Sequence, residues 1–335
     1  MTGVDLASRA LGGAVVAASD ESFGVKERLV EPGEPAFVPG TYDDRGEVVD
    51  GWETRRHADG DWAIVRLGVG GRLRAIDVDT RFFSGNQPTG CRVDASVLDT
   101  VTDPTADSVQ WTTIVGAVAL KPDSHNVFAV GDPRRYTHLR LHLDSDGGVA
   151  RLRAYGDVIP DPALWDGVTV EVSGVEQGGR VEWSSDSFYS DARVLIAPDR
   201  PRNMGDGWET RRRRDIGPDT HDAVMISFAV PADLQRVEID TSRFVFNASP
   251  EVAVLGSRAR PCGEHGWALV PFDVEVLPRT RIAPDARQVF IVEVTDITAL
   301  RVQAYPDGGI ARVRALGRPT EHGVALLQSA WEASA

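Results

Sequence analysis

Lysine and cysteine are both scarce in this chain of 335 residues. Lysine occurs only at positions 26 and 121, so nearly every one of the 36 basic residues is an arginine. A planar guanidinium binds a carboxylate through two parallel hydrogen bonds, which an ammonium group cannot do. The two cysteines, Cys91 and Cys262, are too few for a disulfide-stabilised secreted fold. We therefore expect reduced thiols in a cytoplasmic protein.

Positive charge and long apolar runs are also lacking. The formal net charge of -14 argues against a nucleic-acid partner, because binding to phosphates requires a basic face. No stretch approaches the roughly 20 apolar residues of a membrane span, so we expect no membrane association. The contents of 42% hydrophobic and 26% charged residues are ordinary for a globular protein, and the length favours about two domains.

One polar string occurs twice in the chain. The heptapeptide DGWETRR occupies residues 50–56 and again residues 206–212. Three further matches follow in the same order: RAIDVDT (74–80) with RVEIDT (236–241), KPDSHNVF (121–128) with APDARQVF (283–290), and THLRLHLDSDGGVARLRAYG (137–156) with TALRVQAYPDGGIARVRALG (298–317). The sequence therefore predicts an internal duplication, with domains at 1–157 and 168–318, a C-terminal tail at 319–335 and a Pro-rich linker between the domains.

The local pattern of both halves is typical of β-strands. Short segments rich in Val, Ile and Leu alternate apolar with polar residues; the leucines at 139, 141 and 143 share one face, and His138, Arg140 and His142 share the other. The DSDGG and PDGG segments are interpreted as hairpin turns. We predict an all-β protein of two tandem, duplicated, jelly-roll-like antiparallel β-sandwich domains, with a short helix in the tail.

The doubled heptapeptide has a structural and a functional interpretation. We expect Trp52 and Trp208 to be core anchors. Adjacent arginines in an extended segment point to opposite faces, so only one of Arg55 and Arg56 can line a given cleft. A carboxylate close to a guanidinium suits a site for a small carboxylate-bearing ligand, and it suits an internal ion pair equally well.

Histidines distinguish the two halves. The first repeat carries His57, His125 and His138, where the second has Arg213, Arg287 and Ala299. His138 and His142 have HxxxH spacing, but on a strand four residues span about 13 Å, which is too far for one metal ion. The segment around Asn86 also looks degenerate in the second half. We therefore predict chemistry in the first repeat, although drift of surface residues explains the difference equally well.

General catalytic motifs do not decide whether the protein is an enzyme or a binding module. The sequence contains no phosphate-binding Gly-rich loop, no Gly-x-Ser-x-Gly elbow and no Cys/His zinc spacing. Sandwich domains host many unrelated functions. The alternatives to an enzyme are a non-catalytic tandem module that binds a sugar or small carboxylate, and a paralogue that has lost activity.

A specific set of motifs resembles one family of enzymes. GWETRRH (51–57), DWAIVRLG (61–68), IDVDT with FFSGNQP (76–88) and the doubled DGG segments resemble allantoicase, over nearly the whole chain. The resemblance implies a duplicated jelly roll, hydrolysis of allantoate to ureidoglycolate and urea in purine degradation, and a homo-oligomer. No metal-ligand spacing is present, so we predict no cofactor and no metal, although a divalent ion bound by Asp, Glu and a single His stays open as an alternative.

The chemistry of allantoate suggests roles for individual residues. Its carboxylate calls for arginine, and its ureido groups call for amide or carboxylate partners. A general acid must help the departing nitrogen, and a general base must deprotonate water or a neighbouring N–H. We predict Glu53 and His125 as this catalytic pair. The predicted substrate-binding residues are Arg55, Arg56, Asn86, His57, His138, Arg140, Arg211 and Arg212, with the two histidines as substitute acid or base.

Overall fold

The computed structural model describes residues 3–56, 60–165, 167–214, 217–260 and 270–335. The chain divides into two compact units. Unit 1 comprises Met1–Ile159 with Ala333–Ala335, and unit 2 comprises Pro160–Glu332. The predicted all-β fold of two tandem antiparallel sandwiches is confirmed, because both units are built from antiparallel sheets of the same topology.

Unit 1 is organised around one long strand that changes partners along its length. The strands are β1 (Val4–Asp5), β2 (Ala14–Ala18), β3 (Phe37–Asp43), β4 (Gly46–Val49), β5 (Trp52–Glu53), β6 (Trp62–Asp79), β7 (Gly90–Ser96), β8 (Thr112–Ala119), β9 (His125–Ala129), β10 (Arg135–Leu143), β11 (Gly148–Val149) and β12 (Arg151–Val158). The first part of β6 pairs with β2 and β10, and its last part pairs with β9 and β12. The strand thereby contributes to both layers of the sandwich.

The core of unit 1 lies between these layers. The alternation predicted for β10 is confirmed, because Leu139, Leu141 and Leu143 are buried in one cluster with Ile76 and Val78 of β6. At about 25 cal/mol per Å² of apolar surface, burial of such side chains is the main stabilising contribution to each sandwich. Cys91 is a buried free thiol, and Cys262 lies outside the described residues.

The two DGG segments are not hairpin turns, and that part of the prediction is wrong. Strands β10 and β12 do not pair with each other; each pairs with β6, so the connection between them crosses from one layer to the other. Gly147 does adopt a positive φ of 146°. The following β11 pairs with β5, which places Gly148 opposite Glu53. The DGG segment therefore packs against the heptapeptide of its own repeat.

Unit 2 repeats this arrangement, except that one long strand replaces two strands of unit 1. Its elements are β13 (Val170–Glu171), β14 (Arg180–Ser184), β15 (Trp208–Glu209), β16 (Asp222–Asp240), β17 (Glu251–Ser257), β18 (Val274–Arg281), β19 (Arg287–Tyr305), β20 (Gly309–Ile310), β21 (Arg312–Pro319) and α1 (Glu321–Glu332). Strand β19 combines the positions of β9 and β10. The predicted C-terminal helix is α1. Across the described part of the chain, no helix has the length and apolar character needed to cross a membrane.

Candidate active site

The first heptapeptide is held in place by a buried tryptophan. Trp52 is fully buried, and its indole Nε1–H donates to the Asp20 carbonyl at 2.8 Å. The backbone N–H of Gly147 donates to the Thr54 hydroxyl at 3.1 Å. The predicted role of Trp52 as a core anchor is confirmed. The anchor and the β5–β11 pairing fix the position from which the Glu53 side chain projects.

Glu53 and Asn86 form the central polar contact of this region. The Asn86 amide Nδ2 donates to Glu53 Oε1 at 2.6 Å. Burial raises the pKa of the Glu53 carboxyl, although the Asn86 hydrogen bond and the Arg56 charge act in the opposite direction. A carboxyl with a raised pKa keeps its proton at higher pH, so it can serve as a proton donor.

The arginines of the first heptapeptide differ in their surroundings. The backbone N–H of Arg55 donates to Asp20 Oδ1 at 2.9 Å, and its side-chain Nε lies 3.2 Å from Asp20 Oδ2. The positive charge of Arg56 acts on Glu53. Because most of the Arg55 side chain is exposed, this ion pair contributes little to stability. Of the two guanidinium groups, that of Arg56 acts on Glu53, whereas that of Arg55 is paired with Asp20. His57, also predicted here, lies outside the described residues.

His125 lies on β9, beside a buried carboxylate. Its Nδ1 is 2.7 Å from Oδ2 of Asp77, which is fully buried on the neighbouring strand β6. Burial raises the pKa of the Asp77 carboxyl, and the contact with His125 opposes this shift. Within the described residues, His125 Nε2 has no hydrogen-bond partner. An imidazole oriented through one nitrogen by a carboxylate, with the other nitrogen free, is suited to general-base chemistry.

The surroundings of His125 include a possible cation site. Glu34, Asp79 and His125 place one ligand atom each within 4.8 Å of one another. The Arg81 guanidinium already contacts both carboxylates: it lies 2.6 Å from Asp79 and also hydrogen-bonds Glu34. These contacts raise the pKa of Arg81. Arg81 therefore offsets one of the two negative charges and occupies both carboxylates, so this donor set fits a metal ion poorly.

His138 and Arg140 lie apart from these contacts, on β10. His138 is buried, its Nδ1 lies 3.0 Å from the Thr137 hydroxyl, and burial lowers its pKa. Arg140 stacks over the Trp111 ring at 4.7 Å and lies 3.5 Å from Asp94. The structure gives neither residue a contact with Glu53 or His125. Glu53 bonds to Asn86 and His125 bonds to Asp77, and among the described residues these two side chains have no direct contact with each other.

Unit 2 retains the central polar contact. Asn247 donates to Glu209 Oε1 at 2.6 Å, as Asn86 does to Glu53. The expectation that the Asn86 segment is degenerate in the second half is therefore wrong for the asparagine itself. In the second heptapeptide Arg211 keeps the aspartate contact, with Nε 3.9 Å from Asp186 Oδ2, and it also stacks on Phe188 at 4.2 Å. Arg212 Nη1 lies 3.6 Å from Asp307 Oδ1.

Two carboxylates were missed by sequence reasoning. Asp77 orients His125, and Asp94 lies 2.9 Å from the imidazole Nε2 of His142. The signal for Asp77 was present, because in RAIDVDT the residues at 77 and 79 alternate with buried Ile76 and Val78. The pairing of β6 with β9, which brings Asp77 to His125, could not be read from either segment alone.

Comparison with known proteins matches most of the length of the chain. A family model described as Allantoicase repeat matches residues 4–159 and 170–320. A protein of Nocardia farcinica named "Probable allantoicase" is 43% identical over 93% of each chain. A second from Streptomyces coelicolor is 41% identical over 96% of this chain and 87% of its own. The crystal structure of allantoicase from Saccharomyces cerevisiae superposes with a TM-score of 0.78 at 28% identity, covering 94% of this chain and 92% of that one.

Proposed function

This chain belongs to the allantoicase family, and we propose from that membership that it hydrolyses allantoate to ureidoglycolate and urea in purine degradation. The observation that carries the proposal is the match of both repeats to the family over nearly the full chain. The Glu53–Asn86 contact in unit 1 supplies side chains suited to this substrate.

Substrate binding is assigned to the groups around the first heptapeptide. Asn86 Oδ1 has no hydrogen-bond partner among the described residues, so it can accept an N–H bond from a ureido group. Glu53 Oε2, which likewise has no partner there, can carry a proton and donate it to a ureido nitrogen. Arg56, whose charge acts on Glu53, supplies the cation for the substrate carboxylate, whereas Arg55 is paired with Asp20. These assignments place a ureido group and a carboxylate of one substrate on neighbouring side chains.

The reaction requires two proton transfers. Water contributes a hydroxyl to the central carbon, the bond from that carbon to one ureido nitrogen breaks, and the nitrogen must gain a proton to depart as neutral urea. Protonated Glu53 is assigned as the donor because burial raises its pKa. His125, oriented by Asp77, is assigned as the base that removes the proton from water.

An assay of urea release tests this proposal. The purified chain is incubated with allantoate, and urea is measured for the native protein, Glu53→Gln and Val101→Ala. The last substitution is a control, since Val101 is 88% exposed in a loop of unit 1. We expect urea from the native chain and the control, and at least a 100-fold loss in Glu53→Gln, as is typical for removal of a general acid. No urea above the blank from the native chain contradicts the proposed function.

Assembly and location remain predictions from the sequence. We propose a homo-oligomer because the family resemblance implies one, and a cytoplasmic location because cysteines are few and the net charge is -14. Sedimentation analysis of the purified chain tests the first of these, and a single species at the 36.3 kDa mass of one chain contradicts it.

A further inference from the structure

The second heptapeptide is held by the same contacts as the first. Trp208 is fully buried, and its Nε1–H donates to the Asp186 carbonyl at 2.8 Å, the same distance as in unit 1. The backbone N–H of Arg211 donates to Asp186 Oδ1 at 3.2 Å, and that of Gly308 donates to the Thr210 hydroxyl at 2.7 Å. Glu209 therefore projects from the same local structure as Glu53.

The polar groups that face outward are also the same. Asn247 donates to Glu209 Oε1 at 2.6 Å. In the described part of the chain, Glu209 Oε2 and Asn247 Oδ1 have no hydrogen-bond partner, so two acceptors remain side by side. Arg212 follows three residues after Glu209, as Arg56 follows Glu53; its Nη1 lies 3.6 Å from Asp307 Oδ1, and 69% of its side chain is exposed, so the guanidinium can still reach a ligand carboxylate. Two acceptors and a nearby guanidinium match the two N–H groups and the carboxylate of a ureido acid.

The residues that precede the two asparagines differ between the units. Val245 and Phe246 precede Asn247, where unit 1 has Ser84 and Gly85 before Asn86. Phe246 is 95% exposed, and Val245 is 49% exposed. Exposed apolar side chains next to unfilled polar groups are a feature of binding sites. The face of an aromatic ring can cover the planar ureido group.

The base assigned in unit 1 has no equivalent in unit 2. Arg287 occupies the position of His125, and its Nε lies 3.7 Å from Glu238, the counterpart of Asp77. A guanidinium stays protonated in proteins, so it cannot remove a proton from water. Unit 2 thus combines the groups that bind a ureido acid with a substitution that removes the proton acceptor.

We propose that unit 2 carries a second binding site, formed by Glu209, Asn247 and Arg212 with Phe246 as its wall, that holds a ureido acid without hydrolysing it. The ligand class rests on the proposed function of unit 1. Substrate and product both carry at least one ureido group and one carboxylate on the same carbon, so either can occupy the site.

Calorimetric titration with N-carbamoylglycine tests the proposal. This probe carries one ureido group and one carboxylate, but no second ureido group to expel. We expect two sites per native chain, and one site each in Asn86→Ala and Asn247→Ala. Phe246→Gly, which installs the unit 1 residue, should weaken only the second site, by about 2- to 10-fold. Arg281→Ala, at a side chain 92% exposed elsewhere in unit 2, should retain both sites.

Two results overturn this inference. The first is the same number of binding sites in Asn247→Ala as in the native chain. The second is no binding of the probe to the native chain. Phe246→Gly provides an independent variant if Asn247→Ala lowers the melting temperature, because Phe246 is exposed and its removal leaves the core intact. Urea release from allantoate is measured in parallel. Two binding sites without urea release contradict only the proposed function, and urea release with one site contradicts only the second site.

Discussion

Replacement of Asn86 by alanine probes the contact on which the proposed mechanism depends. The substitution removes the 2.6 Å hydrogen bond to Glu53 Oε1 and leaves the anchoring of Trp52 untouched. An N–H donor stabilises the charged form of a carboxylate, so its loss raises the pKa of Glu53 further. It also removes one acceptor for the substrate ureido group.

The size of the effect follows from the type of bond. The bond lost in the reaction joins Asn86 Oδ1 to the neutral ureido group, and a hydrogen bond between neutral groups contributes about 0.5–1.5 kcal/mol. Since about 1.4 kcal/mol corresponds to a tenfold change in rate, kcat/KM should fall by about 2- to 10-fold. If Glu53 acts as the acid, activity is lost as pH rises through its pKa. This loss forms the alkaline limb of the plot of kcat/KM against pH, and the limb should therefore move to higher pH in Asn86→Ala.

The pH dependence of urea release separates this account from a purely structural role for Asn86. The measurement is kcat/KM for allantoate as a function of pH in the native chain, Asn86→Ala and the Val101→Ala control. A structural role would lower the rate at every pH without moving the limb. An unshifted limb, or a loss of less than about twofold in kcat/KM, would refute the assignment of the Glu53–Asn86 contact to catalysis.

The remaining predictions concern the base, the core and metal dependence. His125→Ala should reduce kcat/KM by about 10²- to 10⁴-fold, whereas Arg287→Ala should leave urea release near the native rate; equal losses would reject catalysis by unit 1 alone. Trp52→Ala should lower the free energy of unfolding in urea by about 3–5 kcal/mol, and Trp52→Phe by less, because phenylalanine keeps most of the buried ring volume and loses the N–H donation to Asp20; equal costs would contradict this. Dialysis against a chelator should leave urea release unchanged, and loss restored by one divalent metal would contradict the prediction of a metal-free enzyme.

Local patterns were enough to predict the architecture. The doubled heptapeptide and the ordered matches after it revealed the duplication, and alternation in Leu139–Leu143 identified a strand with one buried face. The buried indoles of Trp52 and Trp208 were expected from an aromatic residue kept in both repeats. Each of these features is set by neighbouring residues in one segment.

Contacts between distant segments were harder to predict. The interpretation of DSDGG as a hairpin followed from its glycines, but β6 lies between the two strands that this segment connects. The contact of Asn86 with Glu53 joins segments 33 residues apart, and that of Asp77 with His125 joins segments 48 apart. Such pairings depend on the strand order of the whole sheet, which residue types and spacing do not specify.

The position of bond cleavage tests the central claim most directly. Allantoate is hydrolysed by the purified chain in water labelled with oxygen-18, and urea is analysed by mass spectrometry while ammonia is assayed. Cleavage at the central carbon predicts urea without the label and no release of ammonia, because the oxygen of water enters the other product. Labelled carbon dioxide together with ammonia would show attack at a ureido carbonyl, and would contradict the account.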